Sequence, residues 1–455
     1  MLFGVPGLKR IFISILVLIA VGVTIVSCGS SNSSTTTHKP SGLTFRVFIS
    51  NALFPTGTGA VRTNLPVLNI VNALPNEDVL STSVVSLIGA STQPGLMAVS
   101  PSLNDTLVYS QSGNSVAIVD NTTEAVSTGG GRSALPAITL PGFTESMVIN
   151  QFGTTAYAAV ATAPVAGEDP GAVEVLNLQN GSISAAIPVP SAHFIALSPD
   201  GNHLLVFSDN SDIVTVISTI FIGTPTDPRS YISGFDRPVW GIFTSNNSAY
   251  VMNCGPQCGG TAAGVGVLSL TASSAVSTTP VSAATYGLMN GSTLYVAGTP
   301  PANGTNTCAG TPTAATTCGR LATINTNSMT VTGSAVITDG YHDRMQISQN
   351  GQLYIGSHTC SHINISGGEV RGCLSIFNTT NGSVAIPQNN GDVTGIQQIT
   401  GRDIVYLVQN GALAIYDTDT NQLQVTPNDS QNNDGQVDIV GVLYDVKLVD
   451  SASAK

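Results

Sequence analysis

Ala192–Ile217 reads AHFIALSPDGNHLLVFSDNSDIVTVI. It holds three short apolar runs, Phe194–Leu197, Leu204–Phe207 and Ile213–Ile217. The turn Ser198-Pro199-Asp200-Gly201 separates the first two, and the polar tip Ser208–Asp212 separates the second from the third. Two β-rich runs joined at a Gly turn form a hairpin, and a third run extends it into a meander. The figure recurs. Its middle runs fall at Pro66–Val71, Thr106–Ser110, Ala156–Val160, Leu204–Phe207, Ala249–Asn253, Thr293–Ala297, Gln352–Gly356 and Asp403–Val408. From the second to the eighth they are spaced by roughly 45–60 residues, the period of a four-stranded propeller blade. The fourth, outer strand is expected in the weaker run after each third one, such as Ser182–Pro188 or Met329–Ile337.

The expected fold class is therefore all-β, a β-propeller of eight four-stranded blades over residues 43–455. The first unit, Phe45–Asn51 onward, lacks an inner strand, while Ile439–Val449 is a strand-like run left over at the other end. Pairing the two closes the ring and removes an exposed sheet edge. Seven blades is the alternative, if the two ends form one irregular blade. Only 9 % of the 455 residues are charged, and no long window after the first 30 residues shows helical apolar spacing.

The N-terminus has a separate role. Lys9 and Arg10 precede the apolar run Ile11–Val26, followed by Ser27 and Cys28. A basic start, an apolar core and a small residue before the junction define a secretory signal over 1–27. Residues 28–42, with the polar run Gly29–Gly42, read as a Ser/Thr-rich tether in which His38 is a solvated side chain. Without Lys9 and Arg10, 12 basic residues face 26 acidic ones, a net charge of −14. Such a surface repels phosphate backbones, so nucleic acid is not an expected partner. A monomer is expected.

Ile25-Val26-Ser27-Cys28 resembles the lipobox of bacterial lipoproteins. That resemblance implies diacylglycerol on the Cys28 sulfur, cleavage before Cys28 and acylation, typically by palmitate, of the new amino group. Gly29 rather than Asp follows the cysteine, which in that family favours the outer membrane of a two-membrane cell envelope. The phrases MAVSPSLNDTLVYS (97–110), IALSPDGNHLLVFS (195–208) and AIYDTDTNQL (414–423) resemble the YVTN (YncE-like) family of bacterial β-propeller repeats. The likeness spans 43–450, with Ser-Pro-Asp-Gly intact in the fourth unit alone. It implies the fold and leaves the biochemistry open.

Six further cysteines, Cys254, Cys258, Cys308, Cys318, Cys360 and Cys373, fall in consecutive pairs. Each pair lies in the link between the second and third strands of one unit. In an exported chain they read as disulfides, and the sequence-local pairing is the simplest of about 15 possibilities. The alternation His358-Thr359-Cys360-Ser361-His362 admits a metal site as another reading, although it lacks the spacing of known zinc motifs. Links from the second to the third strand leave a propeller on the same face as links between blades. The long insertions, including Gly298–Gly319, Ser357–Gly372, Thr128–Gly142 and Gly223–Asp236, all belong to these two kinds, so one face is elaborated for binding.

Inner strands line the central channel, and polar residues at their starts should ring its mouth on that face. Glu145, His193, Arg237, His342, Asp343, Arg344 and Asp392 stand there. They could bind a small anionic or sugar-like ligand, supply general acid and base groups, or simply hydrate the channel. Asn432, Asp434, Gln436 and Asp438 alternate around Gly435 as in calcium loops, although Ser430 and Gly441 hold the places of the first and last ligands. The same residues also make a plain turn. No phosphate loop, Gly-x-Ser-x-Gly elbow or haem-attachment motif is present. The expected function is thus a lipid-anchored envelope module that binds a protein or a small molecule through its loop-rich face. The alternative is an envelope enzyme of lactonase-like or quinoprotein type, a reading that rests on analogy of fold.

Overall fold

The turn at Ser198–Gly201 is built as its residues require. Gly201 sits at φ +74°, in the left-handed region open to glycine. The Ser198 hydroxyl donates to Asp200 at 2.6 Å and accepts the His203 N–H at 2.9 Å, closing the hairpin between Ala192–Leu197 and His203–Ser208. Ser100 and Ser348 close the equivalent hairpins with the same serine-to-backbone bond. After the third strand, Asp120, Asn177, Asn325, Asn378 and Asp417 each accept two backbone N–H groups in an Asx turn. These two devices are what the recurring sequence phrases encode.

The computed structural model describes residues 39–56, 63–75, 77–301, 318–361, 363–365, 369–387, 389–424, 436–437 and 439–451. The signal-like segment, Cys28 and nearly all of the tether lie outside them. Eight antiparallel sheets follow one another along the chain, each with at least four strands. In chain order from the second blade, the inner strands are Pro94–Val99, Ser146–Ile149, Ala192–Leu197, Pro238–Ser245, Tyr286–Asn290, Tyr341–Ile347 and Val393–Gln398. Each contacts the next. The last contacts Leu443–Leu448, which in turn contacts Pro94–Val99, so the inner strands form a closed circle. The protein is an eight-bladed β-propeller.

Blade 1 draws on both chain ends. Leu443–Leu448 is its inner strand and pairs antiparallel with Arg46–Thr56, Val47 opposite Leu448 and Asn51 opposite Leu443. This is the closure expected from the sequence, and seven blades is excluded. Gly223–Asp236, read as a pure connection, contains the outer strand Arg229–Ile232 of blade 4. The Thr128–Gly142 stretch likewise returns at Ile138–Thr139 to pair with the third strand of blade 2.

The core lies between blades, because both faces of every sheet are covered. In the second strand of blade 4, Leu204 and Val206 pack toward blade 3, while Leu205 and Phe207 pack toward blade 5. Eight apolar clusters correspond to the eight seams. Such strands read as continuous apolar runs rather than alternating ones.

Buried charges concentrate at blade 1. Arg46 grips Asp450 through two bonds of 2.8 and 2.7 Å and Glu124 of blade 2 at 2.9 Å. On the other seam Arg402 of blade 8 holds Asp78, which also accepts the Tyr406 hydroxyl. The carboxylate of Asp445, fully buried, accepts Met97 N–H at 2.9 Å, Val446 N–H at 2.8 Å and Lys447 Nζ at 3.0 Å.

Deleting residues 439–455 removes the buried Leu443, Val446 and Val449 and strips the inner edge of blade 1. Three buried aliphatic side chains contribute about 5–8 kcal/mol, comparable with the whole stability of many domains. The truncated chain should lose its cooperative thermal transition or melt far below the full chain. An unchanged melting temperature by circular dichroism would refute the closure's role.

Candidate functional site

The inner strands do not keep a regular register. In blades 2, 4, 5, 7 and 8 the pairing with the second strand skips a residue near the strand's start, and in blade 1 the same happens between Leu443 and Val446. Each is a β-bulge, in which an extra residue re-aims the side chains around it. The extra residues are His193, Val239, Asp343 and Thr394, with Gly95-Leu96 and Tyr444-Asp445 in the other two blades. Seven of these positions, His193, Val239, Asp343, Thr394, Gly95, Leu96 and Tyr444, line a single cavity of about 690 Å³. Among the described residues every blade but the sixth contributes to its wall, which places it on the channel axis. Cys258 in its lining marks the elaborated face.

Six of the seven residues expected at the mouth, Glu145, His193, Arg237, Asp343, Arg344 and Asp392, line this cavity. His342 does not. It is fully buried and its Nε2 donates to Thr338 O at 3.0 Å. The bulge explains the correction: with Asp343 inserted, the channel-facing places pass to Asp343 and Arg344. His342 then occupies the seam position held by Ala192, Pro238 and Val393 in blades 4, 5 and 8. Gly319 makes room for it, since a Cβ there would come within 2.8 Å of the ring. Burial pushes the His342 pKa down to about 4.

His193 lies between two carboxylates. Its Nδ1 is 2.6 Å from Asp209 Oδ1 and its Nε2 is 2.6 Å from Glu145 Oε2. Only the protonated ring donates from both nitrogens. The hydrogen bonds to Asp209 and Glu145 raise its pKa to about 10 against the opposing effect of burial. This cation joins blade 4 to the start of blade 3.

Opposite it, His358 Nδ1 stands 3.6 Å from Asp343 Oδ2, an ion-pair distance, and the His358 pKa is raised by that carboxylate. The His358 ring lies against Tyr341, with centroids 5.2 Å apart. Arg237 adopts φ +54°, costly for a residue with a Cβ. Its N–H binds Asp212 Oδ1 at 3.1 Å and its guanidinium binds the Asn210 carbonyl, which holds it over the mouth. Asp392 accepts the Thr359 N–H at 2.8 Å.

Two disulfides brace this face, Cys254–Cys258 and Cys360–Cys373, as the local pairing anticipated. Cys318 is also disulfide-bonded, while Cys308 lies outside the described residues. With Cys360 in a disulfide, the alternating metal reading of 358–362 loses its central ligand. Among the described residues no group of three His, Cys, Asp or Glu could hold a metal ion. Asn432, Asp434 and Asp438 of the calcium-type loop lie outside the described residues; Gln436 pairs with Ala414 in a short strand.

Asp209, Tyr341 and Tyr444 belong to the site but escaped the sequence reading, which named His358 only as a candidate metal ligand. Asp209 and His358 sit at the ends of second strands, so a rule confined to the starts of inner strands passes over them. The polar tip beginning at Ser208 was the available signal for Asp209.

No known family model matches the sequence, and no curated protein matches it. Solved structures do resemble it. Dihydro-heme d1 dehydrogenase NirN in complex with DHE aligns over 90% of this chain and 75% of that one, with a TM-score of 0.57 and 11% identity. Hydrazine synthase of Kuenenia stuttgartiensis aligns over 72% and 77%, with a TM-score of 0.41 and 15% identity. The β-propeller domain of Myceliophteria thermophila Cps50 (Swd1) aligns over 71% and 96%, with a TM-score of 0.48 and 10% identity. At these identities the likeness is one of fold.

The two histidines give opposite pH signatures. The folded pKa of His193 lies above the unfolded value of about 6.5, so its stabilisation is complete below that pH and is lost as pH rises toward 10. That of His342 lies below, so its contribution is complete above about 6.5 and is lost as pH falls toward 4, a change of roughly 3 kcal/mol. The melting-temperature gap between wild type and His193→Gln should therefore shrink from pH 6.5 to 10. The gap for His342→Gln should shrink from pH 6.5 to 4. Gaps independent of pH would contradict these assignments.

Proposed function

We propose that this chain is a lipid-anchored, extracytoplasmic binding module of the cell envelope that takes a small polar ligand into the channel mouth of its loop-rich face. The observation that carries the reading is the cavity of about 690 Å³ in which four carboxylates, two arginines and two histidines converge beside Phe143, Tyr341 and Tyr444. Its size falls within the range of ligand pockets. In a chain with 9 % charged residues, such convergence is a concentration well above the average. Support for the anchor comes from the sequence Ile25–Cys28 after its basic and apolar leader, and Gly29 favours the outer membrane. The repeats are best grouped with the YVTN (YncE-like) propellers, on the phrases at 97–110, 195–208 and 414–423.

A second reading, an enzyme working at the same mouth, is favoured by one feature. His358 is 40% exposed at its side chain and stands beside Asp343, the pairing that orients and charges a general acid or base.

A thermal-shift screen of small polar metabolites should yield a stabilising compound. Its affinity should fall by roughly 100-fold when His193, Arg237 and Asp343 are replaced together by Ala, as expected when two or more charge-assisted bonds are lost. Unchanged affinity in the triple variant would place the ligand elsewhere. For the anchor, Cys28→Ala should abolish incorporation of labelled palmitate and move the protein to the soluble fraction; continued labelling would refute lipidation.

A further inference from the structure

The bulge in blade 7 turns two consecutive side chains, Asp343 and Arg344, into the same cavity, and both arrive with bonding capacity unused. Arg344 Nε is buried and has no hydrogen-bond partner among the described residues. Arg344 Nη2 stands 3.7 Å from Asp343 Oδ2, beyond hydrogen-bond range. Asp343 Oδ1 is likewise buried without a partner among them. Arg46, Arg229 and Arg402, by contrast, are each held by two or more charge-assisted bonds within the fold. Leaving a buried guanidinium N–H unpaired is costly, so such a group marks where an incoming acceptor restores the balance.

Resting on the binding function above, the geometry points to Arg344 and Asp343 as a paired receptor for a carboxylate that carries a hydroxyl or ammonium donor on the adjacent carbon. The planar guanidinium fork matches a carboxylate through two parallel bonds. The neighbouring Asp343 Oδ1 is an acceptor for the donor one carbon away. Glu145, Asp209 and Asp392 line the same cavity and disfavour a ligand with a second negative charge, which argues against a phosphate dianion. Phe143, Phe194, Tyr341 and Tyr444 line the same cavity and offer aromatic surface for the ligand's carbon skeleton.

The test is isothermal titration calorimetry on the full-length protein in detergent micelles with four probes. Gluconate carries a hydroxyl beside its carboxylate and L-glutamine an ammonium; hexanoate lacks the donor and sorbitol lacks the carboxylate. Gluconate, glutamine or both should bind, with hexanoate and sorbitol weaker by about tenfold or more. Gluconate alone identifies hydroxy acids as the class, and glutamine alone identifies amino acids. Arg344→Gln should weaken the binding probe by roughly 10- to 100-fold with the thermal transition retained. Should that variant fail to fold, Arg344→Lys keeps charge and stem but loses the fork, and about fivefold weaker binding is expected. Equal binding of sorbitol, affinity within about twofold in the folded Arg344 variant, or no binding of any probe at about 10 mM overturns the inference. A ligand lost on replacing His193 but indifferent to Arg344 would overturn it and leave the binding function standing.

Discussion

One antiparallel pairing, that of Leu443–Leu448 with Arg46–Thr56, is the constraint on which the rest of the ring depends. Seven of the eight seams join blades that follow one another in the chain, so covalent connection holds their partners close. The remaining seam, between blades 8 and 1, forms only when the C-terminal strand completes blade 1. Its apolar cluster draws Val47 and Ile49 from one end of the chain, Tyr406 and Leu413 from blade 8, and Leu443 and Val446 from the other end. Apolar contact alone would tolerate a strand sliding by two residues. Directional bonds remove that freedom: Asp445 holds Met97, Arg46 holds Glu124 and Asp450, and Arg402 holds Asp78. A chain poor in charge places its buried ion pairs where connectivity is weakest.

The fold was legible in the sequence because its signals are local. Each hairpin carries its own turn chemistry, as in Ser198–Gly201, and each strand its own apolar run. The count of eight followed from matching a missing first strand with a surplus last one. The site was legible only in part, because bulges have no composition of their own. His342 and His193 look alike in sequence, each near the start of an inner strand; one residue of register sends the first into a seam and the second into the channel. Asp209 and His358 enter the site from the far ends of second strands, a juxtaposition made by blade geometry and invisible to spacing. Disulfides followed more readily, since Cys254–Cys258 and Cys360–Cys373 each close a loop within one blade.

The mouth owes its character to the same bulges. A regular strand would present every second residue to the channel, whereas the inserted residue lets neighbours such as Asp343 and Arg344 face it together. Opposite charges thus stand side by side without saturating each other, while across the cavity His193 bridges Glu145 and Asp209. The scaffold keeps both in place, with one disulfide loop at the edge and the strained Arg237 backbone above.

The Arg46 cluster has a mechanical consequence. The amide and hydroxyl of Ser41 both bond Glu124, at 2.6 and 2.5 Å, and Glu124 in turn holds Arg46, which holds Asp450. Any tension applied along the segment leading into the ring meets this node before it reaches the first strand of the sheet. The load is shared between blade 2 and both ends of blade 1 rather than peeling one strand from its edge. The joint that completes the circle is thereby shielded from traction, as a knot tied ahead of a seam protects the stitching.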